Sequence, residues 1–242
     1  MITYKNLTII GTSHIAIESV KEVNKKIEEL QPTTVAIELD RDRFIALIQK
    51  KEKKKFSWEI VKQFGISGFI FTLIGAWVEK KMGKLVGVSP GTEMLIAVKA
   101  AAKCKANVAL IDRDIKITVK HLFKYITLKE KLRFLWDLFA GIFFRKGVVK
   151  FDLRKVPSDQ IIRKMILQVK DRYPSFYKAL MKERDEFMAK NLYNLMNKDK
   201  DRPIVAIVGA GHENSIIKLI KNDFKNKTKW NTQNANSHTL QS

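Results

Sequence analysis

The stretch "LTIIGTSHIAIES", Leu7 to Ser19, decides how this chain folds. A short run rich in β-branched residues stops at Gly11, His14 follows three residues later, and apolar residues then recur at helical spacing from Ile15 to Leu30. Such a change of period predicts a strand (Lys5 to Ile10), a tight glycine turn and a helix. A second β-branched run, "TTVAIEL" at Thr33 to Leu39, is entered through Pro32 and leads into a helical Asp40 to Lys51. The opening is therefore read as a βαβ unit with a parallel strand pair.

The same alternation returns later. An alanine-rich helix, Gly91 to Lys105, starts after Pro90 and precedes a third strand, Asn107 to Asp112. A fourth strand, Pro203 to Gly209, runs into "IVAIVGAGHENSI", which repeats the opening device with Gly209 and His212; a helix is expected over about Asn214 to Ile220. Two helical blocks interrupt the pattern, at 58–80 and over about 118–198, the second with breaks near Gly147, Pro157 and Pro174. The expected fold is α/β: a mostly parallel or mixed central sheet with flanking helices and a helical insertion or cap. It spans residues 1–221 as one domain, followed by a polar tail, 222–242, whose composition predicts disorder.

Composition narrows the function classes. Hydrophobic residues make up 45% of the 242, enough for a substantial core. A single cysteine, Cys104, excludes an intramolecular disulfide and the common thiolate zinc motifs. The N-terminus lacks a secretory pattern, and no apolar run reaches the length of a confident membrane span. The expected location is therefore the cytoplasm, with the inner face of the membrane as the alternative. The formal charge of +21 favours anionic partners, although the lysines are scattered through the whole chain, as on a solvated lysine-rich surface. No nucleic-acid-binding motif accompanies that charge, and nucleic acid is the least supported partner. "GAGHEN" lacks the third glycine of a dinucleotide loop, and no phosphate-binding Gly-x-x-x-x-Gly-Lys occurs.

Each predicted strand ends at a chemically loaded position. These are Gly11 with His14, Glu38 with Asp40, Arg41 and Arg43, Asp112 with Arg113, and Gly209 with His212. In open parallel sheets, ligands bind outside the carboxyl ends of the strands, so one edge should gather these groups. Two imidazoles with one carboxylate suit an open divalent metal site for Mn, Co, Fe or Zn, which could activate water or polarise a carbonyl. Arginines there could hold a carboxylate or a developing oxyanion. The competing readings are ordinary: a lone strand-end histidine is commonly structural, Glu38 could be a salt-bridge residue and Asp112-Arg113 a surface turn. Two matched Gly-x-x-His corners at opposite ends of the chain tilt the balance to function. His121 and His238 receive no role, and Cys104 is read as packing.

Six ordered motifs carry a resemblance over about residues 5 to 220: "GTSH" (Gly11–His14), "VAIELDRDR" (Val35–Arg43), "GVSPGTEM" (Gly87–Met94), "LIDRDIKIT" (Leu110–Thr118), "MKERDEFMA" (Met181–Ala189) and "VAIVGAGH" (Val205–His212). Together they resemble the TraB/PrgY family, with the TIKI proteins as distant relatives and a fold similar to erythromycin esterase and ChaN-like proteins. TIKI proteins are described as metal-dependent peptidases favouring manganese or cobalt, with paired Gly-x-x-His motifs at the site. The bacterial branch is linked to shutdown of peptide pheromones. The resemblance therefore implies a metal-dependent hydrolase acting on peptides, or alternatively a non-catalytic, membrane-associated peptide-binding protein. It makes His14, His212 and Glu38 the metal candidates, with Mn, Co or Zn as the ion. Glu93, Arg43, Arg113 and Arg184 join Glu38 as candidates for the chemistry, and Asp112, Glu183 and Asp185 follow.

On a helix, the consecutive Glu183, Arg184 and Asp185 are not expected to face one cleft. Arg184 is the first choice as an anion clamp, with Glu183 or Asp185 orienting a neighbour. "ENSI" after His212 departs from the small or apolar continuation common in the family and leaves Glu213 as an extra acid or a surface residue. Many microbial members continue into C-terminal membrane-spanning helices, whereas this sequence ends in a polar tail. Two apolar-aromatic segments, "GFIFTLIGAWV" and "LRFLWDLFAGIFF" (Leu132–Phe144), are expected to pack into the core or on each other. A greasy lid or an anionic membrane contact is the alternative.

Overall fold

The structure is a computed structural model that describes residues 1–12, 17–49, 91–144, 159–198 and 200–225. In chain order the elements are β1 (Ile2–Tyr4), β2 (Leu7–Thr12), α1 (Ile17–Leu30), β3 (Thr34–Ile37), α2 (Arg41–Gln49), α3 (Thr92–Lys103) and β4 (Asn107–Leu110). There follow α4 (Ile115–Tyr125), α5 (Leu128–Phe144), α6 (Asp159–Arg172), α7 (Pro174–Tyr177), a π-helical turn (Lys178–Lys182), α8 (Glu183–Lys198), β5 (Ile204–Gly209) and α9 (Ala210–Lys225). The expected helical block at 58–80, the breaks at Gly147 and Pro157, His14 and the tail beyond 225 lie outside the described residues.

The five strands form one sheet in the order β1-β2-β5-β3-β4, parallel except for β1, which pairs antiparallel with β2. The α/β reading with a mixed, mostly parallel sheet therefore holds. Several details differ from it. The strand read as Lys5 to Ile10 runs Leu7–Thr12, and Gly11 pairs with Val208 inside it instead of forming a tight turn. The N-terminal residues form a short edge strand of their own, joined to β2 through Lys5, which takes a left-handed φ of 52°. β2 and β3 are parallel but are not neighbours, because β5 enters between them from the far end of the chain. The last helix runs to Lys225, beyond the expected end near Ile220.

Burial alternation explains why the central strands sit where they do. In β5, Ile204, Ala206 and Val208 join Leu7, Ile9, Met188, Leu192 and Ile216 on one face, against α8 and α9. Val205 and Ile207 join Ile10, Val35, Ile37, Val23, Ile27 and Met94 on the other, against α1 and α3. All six β5 residues are buried, as expected of a parallel strand covered on both faces. Burying each of its isoleucines is worth about 1.5–3 kcal/mol. Ala97, Ala100 and Ala101 let α3 approach the sheet closely, and Cys104 packs at the margin of that cluster as read from sequence.

The helices after β4 are fastened by polar pins. Thr127 and Glu130 form a reciprocal capping box at the start of α5: Thr127 N–H donates to Glu130 Oε2 (3.0 Å) and Glu130 N–H to Thr127 Oγ1 (3.2 Å). The buried Glu130 also accepts from Ser175 N–H (2.8 Å) and Ser175 Oγ (2.7 Å), tying α5 to α7. Asp137 accepts from Arg172 and Tyr173, and Phe134 stacks on Phe176 and meets Tyr173 edge-on. Pro174 occupies the first turn of α7, where its missing N–H costs nothing.

Candidate functional site

Because β2, β5, β3 and β4 are mutually parallel, their carboxyl ends share one edge. Glu38 sits one residue past β3, buried at 4% exposure. Its Oε2 accepts from the Gly209 N–H (2.6 Å), where β5 turns into α9. Its Oε1 accepts from Arg184 Nη2 and lies 3.6 Å from His212 Nε2. The turn at Gly209 thus lets a backbone amide hold a carboxylate that arrives from the neighbouring strand.

Arg184 is the hub. Its guanidinium donates through Nε (3.1 Å) and Nη2 (2.6 Å) to the two oxygens of Asp112, a paired contact suited to the planar fork of arginine. Arg43 Nη2 reaches the same Asp112 Oδ2 at 2.5 Å. Asp112 is fully buried at its side chain, which disfavours its charge, yet Arg184 and Arg43 outweigh burial and hold the carboxyl below its usual range. Burial likewise opposes the charge of Arg184, and Glu38 and Asp112 overcome it, leaving the guanidinium firmly protonated. Asp40 is the N-cap of α2: Oδ1 accepts from Arg43 N–H (2.9 Å) and Oδ2 from Arg43 Nε (2.5 Å).

His212 occupies the first turn of α9. Its Nδ1 meets Asp185 Oδ1 at 2.5 Å, while Nε2 faces Glu38 and Arg184 Nη1 (3.5 Å). Burial pushes the imidazole towards neutrality, but the charge of Glu38 and the hydrogen bond and charge of Asp185 prevail, so its pKa is raised. Beside this centre lies a second wing. Arg113 donates to Glu183 Oε2 (2.9 Å), Thr118 Oγ1 (3.2 Å) and the Ala179 carbonyl (3.3 Å), and Glu183 Oε2 meets His121 Nδ1 at 2.6 Å. Burial raises the pKa of Glu183, and the contacts from His121, Arg113 and Tyr125 lower it by more.

Three consecutive residues of "KERDEF" thus have three different partners. Successive helix positions turn by about 100°, so the triplet fans across much of the helix circumference. All three nevertheless reach the polar network at the carboxyl edge of the sheet. Both acids orient a neighbour, rather than one of them: Asp185 positions His212 and Glu183 positions Arg113. The preceding π turn contributes carbonyls to the same network, with Leu180 accepting from Arg184 Nη1 (3.2 Å) and Ala179 from Arg113 Nη2. Such turns recur at functional sites.

The strand-end reading of Glu38, Arg43, Asp112, Arg113 and His212 is thus matched by one contiguous network, together with Arg184, Glu183 and Asp185. Glu93 lies in the first turn of α3, 1% exposed. Asp112-Arg113 is a buried corner and not a surface turn. Sequence reasoning missed His121, whose only signal was its place on a basic helix, and the weight of Glu213. Glu213 is buried (7% exposed) against Gly11: a Cβ at Gly11 would overlap Glu213 Oε2 and lie 3.1 Å from the Ala210 Cα. The glycine that opens the first motif is therefore also a packing requirement of the second.

For a divalent metal, the described residues supply a partial set. His212 is built as a metal-binding histidine is, with a carboxylate on one ring nitrogen and the other directed at a second carboxylate. Five carboxylates (Glu38, Asp40, Asp112, Glu183, Asp185) face three guanidiniums (Arg43, Arg113, Arg184), an excess of negative charge that suits a cation. No group of three or more His, Cys, Asp or Glu at metal-holding separation occurs among the described residues, which exclude His14.

Comparison with known proteins gives the chain its relatives. An uncharacterized protein of Methanocaldococcus jannaschii is 37% identical over 220 residues, covering 89% of this chain and 53% of that protein. The human TraB domain-containing protein is 25% identical over 241 residues (89% of this chain, 63% of that protein), and the bovine one 25% over 235 residues (87% and 61%). The chain spans between half and two thirds of the length of these curated relatives. A family model for TraB/PrgY/gumN proteins matches residues 2–224, nearly the whole of the described fold including both arms of the buried network, and the chain belongs to that family.

Proposed function

We propose that the carboxyl edge of the sheet is the active site of a metal-dependent hydrolase acting on peptides. The observation that carries this reading is the buried Asp185–His212–Glu38 arrangement, in which one carboxylate takes Nδ1 and leaves Nε2 facing the other. His212 and Glu38 would hold the metal, with His14 as the further donor implied by its matching Gly-x-x-His motif. A bound divalent ion such as manganese, cobalt or zinc would supply Lewis acidity and an activated water.

The chain's own residues have separable tasks in that reading. Asp185 holds the His212 ring in one orientation and one tautomer. The Gly209 amide and Arg184 fix Glu38 so that it does not swing away from Nε2. Arg43 and Arg184 neutralise Asp112 and leave positive edges beside the carboxylates, where a peptide carboxylate or carbonyl oxygen would be held. Buried groups already paired in the resting state require little reorganisation during reaction.

The test is direct. Purified chain is dialysed against manganese, cobalt or zinc, bound metal is quantified, and hydrolysis of a fluorogenic peptide library is followed. The expected result is metal-dependent cleavage that is lost in His212→Ala, His14→Ala and Glu38→Gln. Absence of metal retention by wild type, or a His14→Ala/His212→Ala double variant with wild-type metal content and turnover, overturns it.

A further inference from the structure

Two carboxylate–imidazole pairs start from the first turn of α8. One is Asp185 with His212, at the candidate metal position. The other is Glu183 with His121, whose Nδ1 lies 2.6 Å from Glu183 Oε2. In the first pair the carboxylate and the ring are buried, at 3% and 8% side-chain exposure. In the second they lie nearer solvent, at 15% and 33%. That difference decides what each ring can do. His212 is closed in by Glu38 and Arg184, whereas His121 can exchange protons with water.

Glu183 is held from three sides. Arg113 Nη1 donates to its Oε2 (2.9 Å), His121 meets the same oxygen, and the Tyr125 hydroxyl donates to the carboxylate. Tyr125 in turn lies against the His121 ring (centroids 5.6 Å apart) and beneath the Lys178 ammonium (3.8 Å). The charged groups facing the ring are thus Glu183 from α8, Arg113 from the corner after β4 and, across Tyr125, Lys178 from the π turn. Arg113 Nη1 also lies 3.4 Å from His121 Nδ1. The shorter contact, to a carboxylate, outweighs it and requires the proton on Nδ1. Among the described residues none pairs with Nε2. A neutral ring protonated at Nδ1 keeps its lone pair on Nε2, and the carboxylate behind it makes that nitrogen a better base.

We infer that His121 is a proton-transfer residue at the margin of the carboxyl edge, working through Nε2, with Glu183 as the positioning residue behind it. It belongs to the same network as the metal candidates, because Glu183 and Asp185 flank Arg184, whose guanidinium bonds Glu38. The inference rests on the hydrolase reading and adds to it the group that serves the leaving amine. In peptide hydrolysis the oxygen of water bonds to the carbonyl carbon and the C–N bond breaks. The electron pair of that bond stays on nitrogen, which takes the Nε2 proton of the imidazolium. The ring then recovers the proton that the attacking water releases, so the acyl group leaves with OH and the amine with H.

The experiment compares wild type with His121→Gln, His121→Ala and Glu183→Gln on a fluorogenic peptide, with bound manganese quantified in each. His121→Gln should keep wild-type manganese content and melting temperature, with KM within about twofold and kcat lower by about 10²–10⁴-fold. Wild-type kcat should fall on the alkaline side as Nε2 loses its proton, and that limb should be absent in His121→Gln. Added imidazole should restore turnover to His121→Ala, since the vacated space opens to solvent. Nitrogen-15 NMR, with the His121 signal assigned by its loss in His121→Gln, should show the neutral ring protonated on Nδ1, a preference lost in Glu183→Gln. Wild-type kcat in His121→Gln overturns this inference and leaves the metal reading standing. Wild type that retains manganese and cleaves no peptide overturns both. Loss of manganese or of melting temperature in His121→Gln, with no imidazole rescue of His121→Ala, assigns the ring a structural role and overturns the inference. So does a neutral wild-type ring protonated on Nε2.

Discussion

Asp185 on α8 and His212 on α9 meet through Oδ1 and Nδ1 at 2.5 Å, although 27 residues separate them in the chain. The contact decides which imidazole nitrogen remains for other work, since Nε2 then faces Glu38. A second carboxylate behind a metal-binding histidine typically contributes 10–100-fold in metal affinity. Asp185→Asn is therefore expected to weaken manganese binding by about that factor while His212→Ala abolishes it. Isothermal titration of both variants against wild type checks the order. Equal affinities for wild type and Asp185→Asn would show that the carboxylate does nothing for the ring.

Asp112 links stability to pH. Its carboxyl is held below the ordinary range by Arg184 and Arg43 against the cost of burial. A depressed carboxyl contributes stability that is present above its unfolded pKa, about 3.9, and is lost as pH falls through the lower folded value. Removing one partner of a buried pair costs about 3–5 kcal/mol. Urea denaturation should thus show Asp112→Asn less stable than wild type by roughly that amount at pH 7. The gap should stay constant down to about pH 5 and shrink below about pH 4. A gap that widens on acidification would contradict the pairing.

Gly11 and Glu213 form a testable steric pair. An alanine at 11 would drive a Cβ into Glu213 Oε2 and bring it to 3.1 Å from the Ala210 Cα. The carboxylate is buried. Gly11→Ala should cost about 1–3 kcal/mol, as overpacking does. Glu213→Ala in the same chain should recover part of that loss, and the backbone contact should keep the recovery incomplete. A double-mutant cycle by chemical denaturation reads the coupling.

These pairs also mark what was legible beforehand. The doubled Gly-x-x-His device was visible because each copy is local: a β-branched run, a glycine and a histidine within one turn. Glu38, Asp112 and Arg113 were legible for the same reason, each ending a short strand-like run. The insertion of β5 between β2 and β3 was not, since it depends on a pairing of residues near 8 with residues near 205. β1 was missed because three residues carry no readable period. His121 was missed because Glu183 comes to it from 62 residues away.

The π-helical turn at Lys178–Lys182 sets the phase between α7 and α8. Its extra residue offsets the helix upstream from the helix downstream by about 100° relative to a continuous α-helix. α8 is anchored by the buried Met188, Ala189 and Leu192, and α7 by the buried Ser175 on Glu130. Both anchors hold together with the present phase only. Deleting Lys182 should let the helix run on as α, keep α8 on the sheet and rotate α7 away from Glu130. Ser175 would then no longer reach Glu130, and Arg113 would no longer reach the Ala179 carbonyl. Leaving these buried groups unsatisfied costs about 1–3 kcal/mol each, so the deletion should be strongly destabilising by urea denaturation. Lys182→Ala, which removes the side chain without changing the phase, should stay within about 0.5 kcal/mol of wild type. If deletion and substitution were equally mild, the turn would be a local accommodation without influence on the network. A large difference between them assigns its function to helix phase, and so to where Glu183, Arg184 and Asp185 point.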